Sequence, residues 1–244
     1  MSLPLFLAEL AGVVVGGTAT VTGDEARHAV AVKRIQVGEH VLLSDGAGRT
    51  VTGEVVTAGK QELVVRVDQV EDAPPPALEF VAVQALAKGE RSELAVEMLT
   101  EVGVRRILAW QAARSIVRWQ GDRAAKSLAK WQSTAREAMK QSRRTFLPEV
   151  TAAGTKDVAE LLAAVDLALV LHEDATEHIA AVDLPEEGRV AVVVGPEGGI
   201  SPEELETFRQ AGARTVLISD GVLRTSTAGA VAVGQLEALA RRPR

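Results

Sequence analysis

Hydrophobic and polar positions alternate in short runs through the first third of the chain and settle into helical periods afterwards. Alternating or β-branched runs over 18–22, 40–44, 50–57 and 63–70 carry the period-two signature of half-buried strands. Ser44-Asp45-Gly46-Ala47-Gly48-Arg49 lies between two of these runs. It supplies residues that tolerate positive φ, which predicts a hairpin. A helix is expected over 24–33. Several short strands with tight turns and little helix predict a small β-barrel over residues 1–72. The run Ala73-Pro74-Pro75-Pro76 predicts a stiff linker, leaving 77–244 as a second domain.

Beyond residue 77, apolar strand-length segments at 78–86, 106–110, 166–171, 189–194 and 215–219 alternate with amphipathic segments at 90–102, 122–141, 157–164, 201–211 and 225–240. That order predicts βαβ units on a mostly parallel sheet, the α/β class. In the first of these helices Leu94, Met98, Leu99 and Val102 share one side, and Gly103 follows where a C′ glycine ends a helix. In the second, Leu128, Trp131, Ala135 and Ala138 recur at helical spacing and are expected in the core. No apolar run approaches the roughly 18 residues of a membrane span. The opening MSLPLFLAEL has no basic flank and is broken by Glu9, so no signal peptide is expected.

Composition narrows the chemistry. Of 244 residues, 47% are hydrophobic and 25% charged, the balance of an ordinary globular chain. Cysteine is absent, which removes disulfides, thiolate metal sites and cysteine nucleophiles and fits a reducing cytoplasm. The net charge of −6 conceals an asymmetry, because residues 105–144 carry eleven Lys and Arg against two carboxylates, a net of +9. Such a block reads either as a phosphate-binding surface, which displaces counterions from a polyanion, or as a solvated helix face. Trp119 and Trp131 within it are expected to pack rather than to stack on bases.

The sharpest local pattern is the run Val190 to Val194 followed by Gly195-Pro196-Glu197-Gly198-Gly199-Ile200-Ser201-Pro202-Glu203-Glu204. It reads as a buried strand, a glycine turn and a helix start with a Ser201/Glu204 capping box and Pro202 at the first helical position. Three glycines in five residues let backbone amides approach a ligand, or simply make a tight strand-to-helix turn. The turn is neither a Walker A loop nor a Gly-x-Gly-x-x-Gly fingerprint, and no Gly-x-Ser-x-Gly elbow occurs. A second cluster runs from Ile218-Ser219 through Leu223-Arg224-Thr225 to Ala228, and Leu171-His172-Glu173 ends a third strand. Loops at neighbouring strand ends of an open α/β sheet converge on one crevice. Thr225 or Thr227 is expected to cap the last helix. The residues His172 to His178 are metal-capable but lack ligand spacing, so no metal is expected.

These segments together resemble the RsmE-type 16S ribosomal RNA uridine-N3 methyltransferases of the SPOUT superfamily. The resemblance rests on Arg27-His28, Lys33-Arg34, Lys88-Gly89-Glu90-Arg91, Glu101-Val102-Gly103-Val104, Arg114-Ser115, Gln141-Ser142, Gly195 to Gly199 with Ser201 to Glu204, and Leu223-Arg224-Thr225. It implies a PUA-like barrel that helps hold RNA, and a SPOUT α/β domain with a C-terminal trefoil knot. It also implies a homodimer and S-adenosylmethionine as methyl donor. Cofactor contacts are then expected from Leu171, His172, Glu173, Val194, Gly195, Pro196, Gly198, Gly199, Ile218, Ser219, Leu223, Arg224, Thr225 and Ala228. Arg224 is the candidate for stabilising the developing imidate anion, and Glu197 is either a base or an orienter of its loop. RNA contacts are expected from Arg27, His28, Lys33, Arg34, Lys88, Arg91, Arg114, Arg123, Lys126, Lys130, Arg143 and Arg144. The chain departs from the family at Ser226, where an acidic residue is common, at Ile200, often Phe, and at Arg143-Arg144, where Gly-Arg is common.

Overall fold

The computed structural model describes residues 3–242, which fall into two compact units. The first runs to Pro75 and includes Met139–Leu147; the second comprises Pro76–Ala138 and the chain from Pro148 onward. The inclusion of 139–147 in the first unit has no counterpart in the sequence pattern.

The first unit holds β1 (Leu5–Leu7), β2 (Thr18–Thr22), β3 (His40–Ser44), β4 (Arg49–Ala58) and β5 (Glu62–Asp72) in the order β1-β3-β4-β5-β2, with only the β1–β3 pair parallel. Strand alternation puts Val21, Val41, Leu43, Val51, Val55, Leu63 and Val65 in one core, all fully buried. Between β2 and β3, α1 (Gly23–Arg27) passes into a π-helical turn over His28–Val32, and Ala26 and Ala29 enter the same core. Arg34, at φ 59°, ends that helical segment, with the Ile35 amide donating to the Ala29 carbonyl at 3.1 Å.

The hairpin turn predicted at 44–49 forms, and its glycines serve a particular neighbour. The 145–147 segment lies along it: Gly48 N donates to Thr145 O at 3.0 Å, Leu147 N donates to Gly46 O at 2.8 Å, and Ala47 bridges Phe146. A Cβ on Gly48, whose φ is 111°, would lie 2.8 Å from the Phe146 ring. Only glycine admits both that angle and that approach.

The second unit is a six-stranded parallel sheet in the order β11-β9-β10-β6-β7-β8. Its strands are β6 (Leu78–Ala85), β7 (Arg106–Trp110), β8 (Glu149–Ala153), β9 (Leu167–Leu171), β10 (Gly188–Val194) and β11 (Arg214–Val216). Helices α2 (Arg91–Glu101), α3 (Asp122–Ser142), α4 (Thr155–Ala163), α5 (Pro202–Gln210) and α6 (Thr225–Ala240) complete it. β1 and β8 are not expected from sequence, and β11 stops three residues before the expected end. It stops because the chain beyond Val216 leaves the sheet to pair with another loop, Leu217 N donating to Glu177 O at 2.8 Å.

Helix α2 corrects a face assignment. Its buried stripe is Ser92, Ala95, Val96, Leu99 and Thr100, whereas Leu94 is 42% exposed. In α3, Trp131, Ala135 and Ala138 are buried as expected, Leu128 is only half-buried, and Trp119 packs edge-on against Trp131 with ring centroids 5.3 Å apart. Arg143, at φ 55°, terminates α3, and Arg144 N reaches back to Met139 O at 3.1 Å, a Schellman-type end in which glycine is usual.

Candidate functional site

Because all six strands of the second sheet run parallel, β9, β10 and β11 end on the same side, and the turns that follow them are neighbours. The turn after β9 is tied to that after β11: His172 N donates to Val216 O at 3.2 Å and Ile179 N to Leu217 O at 2.8 Å. From β11, at the sheet edge, the chain returns past β9 and β10. There Thr225 Oγ1 donates to Gly195 O at 2.7 Å, and α6 then packs on α2, β10 and β6. The three sequence clusters therefore lie on one edge of one sheet.

The glycine turn is built for close approach. Gly199 has φ 73°, and a Cβ on Gly195 would sit 2.8 Å from Ile200 Cγ1. Ile200 itself is buried in the core with Trp110 and Phe208, which explains why an apolar residue is required there. The capping box forms: Ser201 Oγ accepts from Glu204 N and Glu204 Oε2 accepts from Ser201 N, both at 3.2 Å. Glu204 does more than cap. Its Oε1 also accepts from Ala113 N at 2.8 Å and Thr155 Oγ1 at 3.0 Å, so one buried carboxylate fastens the Arg114 loop beside the turn. The Arg114 carbonyl lies 3.2 Å from where a Gly198 Cβ would be, and Arg114 Nη1 reaches Gly198 O at 3.4 Å.

Glu197 and Arg224 differ in their surroundings. Glu197 Oε1 accepts from Lys88 N at 3.1 Å and faces Arg91 at 3.6 Å, which joins the 88–91 loop to the glycine turn and favours the orienting role over a base. The Arg224 side chain is exposed and makes no hydrogen bond or ion pair among the described residues. Neither Thr225 nor Thr227 caps α6 by accepting an amide, contrary to expectation; Thr225 Oγ1 donates to Gly195 O and Thr227 Oγ1 to Arg224 O at 3.1 Å. Both hydroxyls therefore donate to carbonyls, and Arg224 O also accepts from Thr227 N at 2.9 Å and Ala228 N at 3.0 Å. Of the remaining expected cofactor residues, Val194, Pro196 and Ala228 are buried, Leu171, His172, Ile218, Ser219 and Leu223 are half-buried, and Glu173 is exposed.

The histidines serve local turns: His172 Nδ1 accepts from Asp174 N at 3.2 Å and His178 Nδ1 from Ala180 N at 3.1 Å. No cluster of three metal-capable side chains occurs among the described residues. The expected RNA contacts divide. Lys33, Arg34, Lys88, Arg123, Lys126 and Arg143 are exposed. Arg27 pairs with Asp24 at 2.8 Å, Lys130 with Glu93 at 2.7 Å, and Arg91 with Glu197. His28 and Arg144 are half-buried. The Lys130 ammonium is held above its ordinary range by its hydrogen bond to Glu93.

Sequence reasoning missed Gln84. It is fully buried at the end of β6, and its Nε2 donates to Thr225 Oγ1 at 3.1 Å. The only signal in the sequence is a lone amide inside the apolar run Leu78 to Leu86.

The chain matches a family model for the RNA methyltransferase domain over residues 74–237 and one for the RNA methyltransferase PUA domain over residues 21–68. Fold and site thus define an RNA methyltransferase that carries a PUA domain. Ribosomal RNA small subunit methyltransferase E of Mycobacterium bovis is 45% identical over 232 residues, covering 93% of this chain and 88% of that protein. The Bacillus subtilis protein of the same name is 28% identical over 221 residues, 86% of each chain. A crystal structure of ribosomal RNA small subunit methyltransferase E from Neisseria gonorrhoeae, bound to S-adenosyl methionine, superposes with a TM-score of 0.86 at 27% identity over 98% of both chains. The chain belongs to the ribosomal RNA small subunit methyltransferase E family.

Proposed function

We propose that this protein methylates N3 of one uridine in small-subunit 16S ribosomal RNA, with S-adenosylmethionine as methyl donor. The observation that carries the reading is the meeting of three turns on one sheet edge, with the unpaired Arg224 on one of them. The residues present suit that donor. Gly198, Gly199 and the open Gly221 expose backbone, and Leu171, Ile218 and Leu223 offer half-buried apolar surface for a nucleoside. The turns carry Glu173, Glu197 and Asp220 against one cation, Arg224, and no lysine, a net acidic set that fits a cationic sulfonium better than a phosphate chain.

When bound, S-adenosylmethionine supplies an electrophilic methyl group. The turns hold it by backbone groups and fix its direction, and positioning of this kind removes a large entropic barrier. Uridine N3 is a poor nucleophile until its proton leaves, and the Arg224 guanidinium favours the anion as it develops. Arg123, Lys126 and the exposed cations of the PUA-like unit, Lys33 and Arg34, attract RNA phosphates. The return of the chain from β11 to Thr225 beneath Gly195 supports the knot expected for SPOUT enzymes. Exposed Leu94 and Val231, on the mutually packed helices α2 and α6, support a homodimer.

Mass spectrometry of small-subunit rRNA from cells lacking the gene tests the reading. Loss of 3-methyluridine, restored on complementation, is the expected result; an unchanged modification overturns it.

A further inference from the structure

Gln84 presents a physical puzzle. Its side chain is fully buried, yet its Oε1 has no hydrogen-bond partner among the described residues. A buried, unsatisfied carbonyl is a desolvation cost that an apolar side chain of the same shape would avoid. The nitrogen end explains what is obtained in exchange. Nε2 faces three acceptors: Thr225 Oγ1 at 3.1 Å, Thr225 O at 3.3 Å and Ala85 O at 3.3 Å. Two of these are backbone carbonyls, so this end of the amide must be the nitrogen.

The direction of the chain of hydrogen bonds is also fixed. The single hydroxyl proton of Thr225 goes to Gly195 O at 2.7 Å, so its oxygen is free to accept from Gln84. Strand register supports the same geometry: Gln84 lies beside Val194, the residue before Gly195. Gln84 therefore grips the start of α6 directly and the glycine turn through one hydroxyl. Gly229 lets α6 come this close, since a Cβ there would lie 3.0 Å from Leu99, 3.2 Å from Val194 and 3.7 Å from Gln84 Oε1. Gln235, further along α6, repeats the arrangement. Its Nε2 donates to Ile218 O at 2.9 Å while its Oε1 is buried without a partner among the described residues.

We propose that Gln84 is a positioning residue which sets the separation of the Gly195 and Arg224–Thr225 turns, and that its amide is retained for ligand geometry at the expense of stability. The inference rests on those turns holding the methyl donor.

The test uses the full-length protein, S-adenosylhomocysteine as calorimetric probe, and thermal melts. Gln84→Met keeps the shape and removes the amide. Its Tm is expected to equal or exceed that of the unaltered protein, while its Kd for S-adenosylhomocysteine rises about tenfold, the worth of one hydrogen bond. An unchanged Kd, whatever the Tm, overturns the proposal. A second measurement covers the case in which Tm falls while Kd rises: Thr225→Val alone, and the double variant. If Gln84 acts through Thr225, the double variant binds no worse than the weaker single. Losses that multiply in the double variant overturn the proposal. Failure of the unaltered protein to bind the probe is a separate result, because it removes the reading of the site together with this inference.

Discussion

Two glycine turns, one in each unit, look alike in sequence and do opposite things. The 44–49 hairpin is filled by the chain itself, since Thr145, Phe146 and Leu147 occupy the space that Gly46 and Gly48 leave open. Its following arginine is engaged at both terminal nitrogens, Arg49 Nη1 holding both carboxylate oxygens of Asp72 at 3.0 Å and Nη2 holding Val13 O at 2.7 Å. The 195–199 turn is braced from behind by Ile200, Thr225 and Glu204 but keeps an open side, where a Cβ on Gly199 would meet only the tip of Arg114 at 3.9 Å. Its neighbouring cation, Arg224, has no partner among the described residues. Glycine marks close approach of the chain to itself in both places; only the fold says that one turn is closed over and the other keeps an open side.

The strongest test substitutes the two turns in parallel. Gly48→Ala puts a Cβ at φ 111° within 2.8 Å of the Phe146 ring and 2.9 Å of Ala73 O, and is expected to cost about 3 kcal/mol of stability with S-adenosylhomocysteine affinity intact. Gly195→Ala drives a Cβ against Ile200 and is expected to weaken that affinity more than a hundredfold, roughly 2.7 kcal/mol. Calorimetry and denaturant melts on both variants decide the matter. Equal loss of binding in the two would erase the distinction.

Arg224→Gln comes next. An unpartnered guanidinium that stabilises a developing anion is worth about a hundredfold in kcat, and its removal should leave the Kd for S-adenosylhomocysteine within about threefold. A large rise in Kd with little change in kcat would make Arg224 a binding residue. Within α3 the same contrast recurs. Lys140 is committed to Glu25 at 3.1 Å, whereas Arg123 and Lys126 are exposed. Replacing both exposed residues by Glu should weaken RNA binding and flatten its log–log salt dependence by about 0.7–0.9 for each phosphate that is no longer neutralised. An unaltered slope would assign them to solvent.

Much of the fold and site is legible in the sequence. The capping box at Ser201 and Glu204 places the start of α5, and the punctuation at Gly103 the end of α2, within a residue, because those signals are local. What escapes is non-local. Residues 139–147 join the first unit by lying along a hairpin nearly a hundred positions earlier, and no periodicity records that. β8 escapes because Glu149-Val-Thr-Ala-Ala carries too few strand-forming residues to stand apart from a loop. Gln84 shows only as an oddity, because one polar residue does not break an apolar run. Gln235, within the last helix, has no signal at all. The site's glycines are recognisable by type, and their functions come only from their neighbours.

The segment that fills the hairpin also carries a smaller effect. Arg143 adopts φ 55°, an angle that glycine takes without strain; Arg143→Gly should stabilise the protein by about 1 kcal/mol, raising Tm by about 2–4 °C. An unchanged or lower Tm would mean that the arginine side chain offsets its backbone strain.

The smallest effect lies beyond the open turn, on α5. Glu206 accepts from Arg209 at 2.8 Å and from Gln210 at 2.8 Å, and those hydrogen bonds hold its carboxyl down to about 2, below its ordinary 4.5. A depressed folded-state value contributes stability above the unfolded value and loses it as pH falls from about 4.5 through about 2. Glu206 is solvent-exposed, so screening makes the contribution slight. Glu206→Gln should therefore lower Tm marginally at neutral pH and not at all near pH 2, while ligand affinity stays unchanged throughout. A change in affinity would mean that α5 transmits strain to the glycine turn, and the open turn would then depend on its helix as the filled one depends on 145–147.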